Sequence, residues 1–457
     1  STRLKQRDKA KEYMATFKKL KTEDMKILKD RNKAVDDLIA MQKGAAETYM
    51  LAGQMYQAEK EFQKAEELLK RATTLDPNNV LCLERLASLY INTNRITNAI
   101  SLYEPELPLQ SGEIPLRDYM DMPSCIRDAS PDAWGRRVIL YRKTGERGHD
   151  AETAHLDELT YLLESGSDRI GGLDFQFSPT EYVPRASTNA PIEELLEAAD
   201  HIDKGLPISP ELADALRHGT SIGGARPKAL IEEADKKYIA KFSAANDQYN
   251  VVKAEFVAMR LAFEAGLDVA PARLESAAGK DVILVERFDR VASNRGWQRK
   301  IMLSGLTMLG LNEMQARYAS YEDFAELIRY QFADAGKDLK ELYSRLVFNV
   351  LVGNTDDHAR NHAAFWDGSS LSLTPGYDIC PQLRTGNEAT QAMAIIGDNR
   401  QSNLATCLAA SNHFTLSTDQ AVELIKAMVE SIASNWDSVC KEAKLTHADK
   451  QVFSGRM

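Results

Sequence analysis

Residues 354–361 read Asn-Thr-Asp-Asp-His-Ala-Arg-Asn, and this stretch decides how the remainder of the chain is interpreted. Asp356 lies five positions before Asn361, and the apolar run 346–352 predicts an anchor in the core just ahead of them. A loop of this length turns back on itself, so a carboxylate can orient an incoming hydroxyl while a carboxamide oxygen reaches a magnesium ion. The stretch therefore predicts a phosphoryl-transfer site in which Asp356 accepts a proton and Asn361 binds the metal.

The segment after this loop predicts a second metal ligand. Residues 363–366 and 371–375 are separated by Asp367-Gly368, which favours a β-hairpin that delivers Tyr377 and Asp378 to the loop. Asp378 is the predicted second magnesium ligand. Asn, Asp and Gly also populate ordinary turns for local hydrogen-bonding reasons. That alternative explains either half alone equally well, but it explains their combination poorly.

Upstream, the chain offers other parts that a kinase-type D-x-x-x-x-N loop requires. The adjacent Gly223 and Gly224 allow the backbone to approach phosphate oxygens and to present its amides. Residues 237–242 alternate in polarity like a strand, and a lysine there can pair with the α- and β-phosphates of a nucleotide. Lys241 is a better candidate for this pairing than Lys237.

The next two segments predict support for that lysine and a hinge. Residues 249–265 have helical spacing, and Glu255 within them is available to orient Lys241. A solvated helix glutamate is an equally good alternative for Glu255. Residues 281–290 resemble a buried strand that runs into a polar connector, where main-chain groups would hydrogen-bond an adenine edge. This connector is the predicted hinge between two lobes.

Taken together, these motifs resemble the HipA family of toxin kinases. They read S-I-G-G-A-R-P-K-A from 221, Y-I-A-K-F from 238, V-E-R-F-D-R from 285, N-T-D-D-H-A-R-N from 354 and G-Y-D-I from 376. The stretch R-D-A-S-P-D-A-W-G-R-R over 127–137 strengthens the match. The resemblance runs from about residue 107 to about residue 445. It implies an α+β chain with a bilobal protein-kinase-like fold and an α-rich C-terminal lobe.

The resemblance also implies an activity and partners. It implies an ATP- and magnesium-dependent Ser/Thr protein kinase of a bacterial toxin–antitoxin module, acting on a translation component such as an aminoacyl-tRNA synthetase. A small helix-turn-helix antitoxin accompanies such kinases, so any DNA contact is expected only through that partner. In the family, the loop serine that matches Ser221 is phosphorylated by the kinase itself, and the modified loop leaves the nucleotide site. The alternative is that Ser221 only caps the turn through its hydroxyl.

Carried over residue by residue, the resemblance implies that Asp356 is the catalytic residue and that Asn361 and Asp378 hold magnesium. ATP contacts are implied for the glycine-rich loop, the strand lysine, the hinge and the two later motifs. These residues are Gly223, Gly224, Ala225, Arg226, Pro227, Lys228, Lys241, Glu286, Phe288, His358 and Tyr377. For His358, a structural histidine that bonds the loop backbone is an equally weighted alternative.

The first hundred residues depart from that family, whose chains normally begin with a compact β-rich subdomain. Small and large residues from Tyr49 to Pro77 fit the 34-residue tetratricopeptide template, and a second copy from Val80 breaks off at Glu104-Pro105. Because about three repeats are generally needed for stability, we expect this segment to pack on the kinase part, on another copy of itself or on a partner. Plain helical packing is favoured over a peptide-binding groove, and an artificial fusion near Tyr103 stays open.

Length and composition set further limits. A chain of 457 residues with 44% hydrophobic content predicts two or three domains, namely a helical segment over 1–104, an N-terminal lobe with the phosphate loop over 105–285 and an α-rich lobe over 286–457. The net charge of −10 opposes broad nucleic-acid binding. No apolar run is long enough for a membrane span and no signal-peptide pattern opens the chain, so we expect a cytoplasmic protein without membrane contact. Five scattered cysteines predict reduced thiols.

Two other function classes stay open. One is a small-molecule kinase, because antibiotic phosphotransferases use a comparable D-x-x-x-x-N loop. The other is a repeat-based binding protein whose kinase portion serves as a scaffold. Antibiotic kinases place a histidine two residues before the aspartate, whereas His358 follows Asp356. The joint presence of Lys241, Asn361 and Asp378 disfavours a scaffold, so the toxin-type kinase is preferred.

Overall fold

The computed structural model describes the following residues of the chain: 41–56, 62–76, 116, 119–144, 156–178, 180–185, 190–204, 206, 208–216, 219–220, 222–244, 247–294, 296–367, 370–383, 386 and 388–454. Ser221 and the second repeat copy predicted from Val80 lie outside these residues. The chain divides into two compact units, Ser1–Ile114 and Pro115–Met457.

The first unit contains a pair of helices, α1 (41–56) and α2 (Phe62–Leu75). The two helices approach closely at Gly53, where an added Cβ would stand 2.7 Å from Cγ of Leu69. Leu69 itself is fully buried, as are Ala65 and Ala72 one turn to either side. Small residues at the crossing are what a tetratricopeptide pair requires. The predicted N-terminal helical segment is confirmed for this pair.

Within the described residues of the second unit, five helices precede a sheet. They are α3 (Ser124–Asp128), α4 (Ala133–Thr144), α5 (Glu158–Glu164), α6 (Ile192–Asp203) and α7 (Pro210–Leu216). Local signals explain where α5 begins, since the Asp157 side chain accepts from the amide of Thr160. The sequence patterns of residues 157–163, 191–203 and 210–217 predict three helices, which correspond to α5, α6 and α7.

A four-stranded antiparallel sheet follows, with strand order β1-β2-β4-β3. Its strands are β1 (Lys228–Glu233), β2 (Lys236–Phe242), β3 (Ala272–Ala277) and β4 (Lys280–Glu286), and α8 (Val251–Glu264) connects β2 to β3. One sheet face packs on Trp134 and on helix α6 in a core that includes Tyr238, Ala240 and Phe242. Alternation along β2 therefore turns Lys241 to the opposite face, where Lys228 is its direct cross-strand partner.

The remainder of the second unit is mainly helical. Its elements are β5 (Arg290–Ser293), β6 (Gly296–Arg299), β7 (Ile301–Ser304), α9 (Gly305–Met308), α10 (Tyr321–Gln331), α11 (Ala335–Val352), β8 (Ala363–Trp366), β9 (Leu371–Leu373), α12 (Leu404–Ala410), α13 (Thr418–Glu442) and α14 (His447–Ser454). Strands β8 and β9 pair antiparallel, as the predicted hairpin requires. The large core of this part is built around α8, α10, α11 and α13. The α+β fold with an α-rich C-terminal part is thus confirmed.

One local prediction was wrong. The sequence Arg-Ile-Gly-Gly-Leu-Asp-Phe over 169–175 predicts a turn that leads into a strand, but these residues form irregular backbone. The carbonyl of Arg169 accepts from the Arg287 guanidinium at 2.8 Å, and the amide of Gly171 donates to Asp289 at 2.8 Å. Buried charged side chains therefore satisfy the main-chain groups that a strand would have paired. Among the described helices, none is long and apolar enough to cross a membrane.

Candidate active site

Lys241 lies at the centre of the site, between two carboxylates. Its Nζ is 2.5 Å from Oε1 of Glu255 on α8 and 2.6 Å from Oδ1 of Asp378. Burial acts to lower the pKa of Lys241, but attraction to Asp378 and Glu255 outweighs it and raises the pKa. The same attraction to Lys241 lowers the pKa of Asp378 to about 2, against the effect of burial. The lysine and Asp378 are therefore held as an ion pair.

The neighbouring lysine, Lys228, has the opposite electrostatic environment. Its side chain is buried, and its ammonium donates to the carbonyl of Gly223 in the glycine-rich loop. Burial lowers the pKa of Lys228 to about 8, and repulsion from Lys241 acts in the same direction. Gly223 and Gly224 both have positive φ, +41° and +90°, which glycine tolerates at little cost. The loop thus carries a lysine that loses its proton close to neutral pH.

Other loop residues that the sequence proposed for ATP contacts have their own partners. The Arg226 guanidinium is 2.5 Å from Oδ2 of Asp247. Pro227 is buried, and its carbonyl accepts from the amide of Phe242 at 3.0 Å. Ala225 is exposed. Arg226 and Pro227 therefore anchor the end of the loop to the sheet region.

The loop around Asp356 emerges from the end of α11. Gly353 ends the helix in the left-handed conformation, with φ +70°. The buried Asn354 then holds the loop back on the helix, because its Nδ2 donates to Oδ1 of Asn349 at 3.0 Å. At the other end, Nδ2 of Asn361 donates to the carbonyl of Asp356 at 3.2 Å. Asp356 and Asn361 are thereby brought together as the sequence predicted.

Asp356 itself is exposed overall. Loss of water around its carboxyl raises its pKa, attraction to His358 opposes the rise, and repulsion from Asp378 adds to it. A carboxylate with a raised pKa is a better proton acceptor than an ordinary surface aspartate. These effects also mean that Asp356, His358 and Asp378 share one electrostatic environment.

Asp378 is delivered by the segment after the β8–β9 hairpin. Its backbone has φ +58°, a conformation that aspartate tolerates better than most residues. Its side chain is 46% exposed, although its Oδ1 contacts Lys241. The preceding Tyr377 fixes this segment, because its hydroxyl donates to the carbonyl of Arg360 at 2.8 Å. Tyr377 therefore links the two metal-binding motifs that the sequence predicted.

The ring of His358 is held in an unusual way. Its Nδ1 is buried and has no hydrogen-bond partner within the described part of the chain. The structural alternative, a histidine that bonds the loop backbone, is therefore not realised through this nitrogen.

At the predicted hinge, Glu286 and Phe288 each make contacts that the sequence did not indicate. The amide of Glu286 donates to the carbonyl of Pro271 at 2.8 Å, and its carboxylate pairs with Lys236 at 2.6 Å. The ring of Phe288 packs on Tyr377, with centroids 5.6 Å apart, and on Phe365 at 5.8 Å. Phe288 therefore joins the end of the sheet to the Tyr377 segment.

Sequence reasoning missed a buried polar network behind the loop. The hydroxyl of Tyr321 on α10 donates to Oδ2 of Asp357, and Nε2 of His362 is 3.0 Å from the same oxygen. All three side chains are almost completely buried. Asp357 lies in the quoted motif, but His362 directly follows that motif, and nothing in the sequence placed Tyr321 beside either residue.

Sequence reasoning also missed a contact between the glycine-rich loop and the start of α4. Oδ2 of Asp132 is 2.5 Å from the amide nitrogen of Gly224. In the sequence, the stretch 127–137 indicates only a family resemblance. Asp132 and Gly224 are 92 positions apart, so no local pattern predicts their contact.

Comparison with known proteins gives two family matches. Residues 220–436 match the HipA-like C-terminal domain, and residues 46–79 match a tetratricopeptide repeat. Among curated proteins, the chain is 29% identical over 248 residues to one from Sinorhizobium fredii named "Putative kinase Y4mE". It is 25% identical over 186 residues to the serine/threonine-protein kinase toxin HipA of Shewanella oneidensis.

The matches to the two curated proteins are partial. They cover 49% and 35% of this chain and 57% and 42% of the two relatives, so the chain spans about half the length of the curated proteins it matches. A chain in the solved complex of the Shewanella oneidensis MR-1 toxin–antitoxin proteins HipA and HipB with operator DNA has a similar fold. The TM-score is 0.58 at 19% identity, over 77% of this chain and 85% of that one. The chain therefore carries a HipA-like C-terminal domain over residues 220–436 and a tetratricopeptide repeat over residues 46–79.

Proposed function

We propose that this chain is an ATP- and magnesium-dependent Ser/Thr protein kinase of the HipA toxin type. The observation that carries the proposal is the position of Lys241 between Glu255 and Asp378, at 2.5 and 2.6 Å. A strand lysine paired with a helix glutamate and lying next to a metal-binding aspartate is the arrangement that kinases need for catalysis. An ordinary structural ion pair does not require an exposed carboxylate edge, which Asp378 has.

The donor groups fit a magnesium ion. Asp378 stays ionised at neutral pH because its pKa is about 2, and Asn361 directs its Nδ2 to Asp356, which leaves its Oδ1 as an acceptor. Among the described residues, no group of three or more His, Cys, Asp or Glu could hold a metal by itself. One carboxylate and one amide oxygen are what magnesium needs when phosphates and water complete its coordination. Bound magnesium and ATP would supply charge neutralisation and the phosphoryl group.

The side chains of this protein bind the phosphates and accept the proton. Lys241, oriented by Glu255, holds the nucleotide phosphates, and Asp356 accepts the proton of a serine or threonine hydroxyl. The hydroxyl oxygen bonds to the γ-phosphorus while the bond from that phosphorus to the β–γ bridging oxygen breaks. His358 is assigned a place near the phosphates on the basis of the family motif.

Finer assignments follow from the resemblance rather than from the geometry. We propose a translation component, such as an aminoacyl-tRNA synthetase, as the protein substrate, and a helix-turn-helix antitoxin as partner. The Shewanella complex, which contains HipA, HipB and operator DNA, supports an antitoxin partner. Any DNA contact of this chain is proposed to occur only through that partner. Autophosphorylation is proposed at Ser221, directly before the described loop residues 222–228. For the N-terminal helices, plain packing is proposed in preference to peptide binding.

The test is transfer from γ-labelled ATP to proteins of a bacterial cytoplasmic extract. We expect magnesium-dependent labelling by the natural chain and essentially none by Asp356→Asn, which keeps size but removes the proton acceptor. Asp235→Asn, in the exposed turn between β1 and β2, is the matched control and should behave like the natural chain. Equal labelling by Asp356→Asn would remove that residue from the mechanism. Labelling of small molecules without labelling of protein would favour a small-molecule kinase.

A further inference from the structure

The segment at the start of α4 contacts the glycine-rich loop through the side chain of Asp132. Oδ2 of Asp132 accepts from the amide of Gly224 at 2.5 Å, and an added Cβ on Gly223 would stand 3.3 Å from the same oxygen. Since Gly223 and Gly224 have backbone conformations that favour glycine, this is the most pliable part of the loop. The carboxylate of Asp132 therefore holds the loop where the backbone is least constrained.

Trp134 and Gly135, two and three positions after Asp132, also contact this loop. The indole Nε1 of the fully buried Trp134 donates to the carbonyl of Lys228 at 3.0 Å. An added Cβ on Gly135 would stand 2.0 Å from the carbonyl oxygen of Thr220, so only glycine permits the backbones to approach this closely. Asp132, Trp134 and Gly135 thus contact the loop in its middle, at its end and at its beginning.

Asp132 also contacts the loop that carries the proposed catalytic aspartate. Its Oδ1 is 3.2 Å from Nη1 of Arg360, which directly precedes Asn361 in the chain. Arg360 pairs as well with Glu313, at 3.1 Å. The side chains of Asp132 and Arg360 are 26% and 25% exposed, so this pair contributes more through geometry than through charge. One carboxylate therefore connects the glycine-rich loop with the loop around Asp356.

On the basis of the kinase function proposed above, we propose that Asp132 is a positioning residue that orders the glycine-rich loop for nucleotide binding. A loop with two adjacent glycines loses much conformational entropy when it is fixed. If Asp132 fixes the peptide of Gly224 beforehand, less of that cost falls on the nucleotide. In this arrangement the Gly224 amide donates its hydrogen bond to Asp132. The phosphates are then contacted by the other amides of the loop and by Lys228 and Lys241.

The experiment compares the natural chain with Asp132→Ala and Asp132→Asn. The control is Asp157→Ala, which removes an aspartate that caps α5 through its contacts with the amide and hydroxyl of Thr160. Hydrogen–deuterium exchange of residues 222–228 is measured without nucleotide, and magnesium–ATP affinity is measured by calorimetry. Asp132→Ala should exchange faster in this segment and bind magnesium–ATP on the order of tenfold more weakly. Asp132→Asn keeps an oxygen for the Gly224 amide and should recover most of both properties.

The two readouts separate this inference from the proposed function. Asp157→Ala should leave both exchange over 222–228 and ATP affinity unchanged, whatever it does to global stability. Unchanged exchange in Asp132→Ala, or ATP binding as tight as or tighter than that of the natural chain, would overturn the positioning role. A natural chain that binds no magnesium–ATP would contradict the kinase proposal and the role of Asp132 in nucleotide binding.

Discussion

At the scale of single residues, two cross-strand lysines have opposite proton affinities. Lys241 has two carboxylates in contact, and their attraction raises its pKa despite burial. Lys228, directly opposite on β1, is buried with a carbonyl as its partner, so its pKa falls to about 8. Like charges that face each other across strands are unfavourable. The site tolerates the pair because one lysine is fully compensated and the other gives up its proton easily.

The low pKa of Lys228 predicts how nucleotide affinity depends on pH. Phosphates would favour the charged lysine and raise its pKa, so affinity should be full below about pH 8 and fall as pH rises through that value. The other charged groups that act on Lys228 are Lys241, Asp378, Asp132 and Glu255. Calorimetry between pH 7 and about pH 9.5 measures the effect, with a limit of about tenfold per pH unit.

Lys228→Met is the matched variant, because it keeps the stem and removes the titrating group. Its affinity for magnesium–ATP should be lower and nearly constant over the same pH range. A fall above pH 8 that persists in Lys228→Met would assign the titration to another group. Without nucleotide, the natural chain should become more stable between about pH 8 and 10, since the unfolded lysine keeps its proton to higher pH.

The sequence was informative about residues whose roles are local. The Y-I-A-K stretch that ends at Lys241 resembles the V-A-I-K strand of kinases, which favours Lys241 over Lys237. The structure pairs Lys237 with Asp168 instead. The spacing from Asp356 to Asn361 was enough to bring those two together. Asp132 could not be assigned in this way, because its contact with Gly224 depends on how α4 packs and not on any local pattern. Nor does the sequence contain a signal for the lowered pKa of Lys228.

At the scale of elements, helix α10 contacts the loop around Asp356 through the side chain of Tyr321. The Tyr321 hydroxyl and Nε2 of His362 both contact Oδ2 of Asp357, and the rings of Tyr321 and His362 lie edge to face. A buried carboxylate needs such partners, because an unsatisfied charge in the interior is costly. The residue next to the proposed proton acceptor is therefore fixed from two elements.

Tyr321→Phe tests this support. It removes one hydrogen bond to a buried carboxylate while keeping the ring, so the free energy of unfolding should fall by about 1–3 kcal/mol. Tyr318→Phe is the control, because Tyr318 is 63% exposed and lies just before the same helix. Urea denaturation of both variants gives the two changes in free energy. A loss for Tyr321→Phe no larger than for Tyr318→Phe would show that the hydroxyl contributes nothing.

Elements with strong local signals were predicted well. Helix α5 and the β8–β9 hairpin were predicted, and the cap of the one and the turn of the other each depend on a few adjacent residues. The strand expected over 169–175 failed for the opposite reason. Its backbone is held by Arg287, Arg290 and Asp289, which come from a segment more than a hundred residues later. Such long-range ion pairs override a weak local preference.

At the scale of the whole molecule, the two compact units differ in the size of their described hydrophobic cores. The two main hydrophobic clusters of the second unit use residues from Trp134 onward. The first unit contains one matched repeat, over residues 46–79. Single repeats of this type do not bury enough apolar surface to be stable alone. The stability of the HipA-like unit should therefore not depend on the repeat.

A truncated chain that begins at Pro115 tests this independence. We expect it to fold cooperatively, with a thermal midpoint within a few degrees of the full chain, because both main clusters remain intact. Its magnesium–ATP affinity should also be unchanged, since Lys241, Asp356 and Asp378 all lie in the second unit. Calorimetric unfolding and ATP titration of both chains measure these quantities. The same truncation combined with Asp378→Ala should lose ATP affinity, which controls for nonspecific nucleotide binding. A truncated chain that unfolds or loses affinity without that substitution would show that the helical repeat is an integral part of the kinase fold.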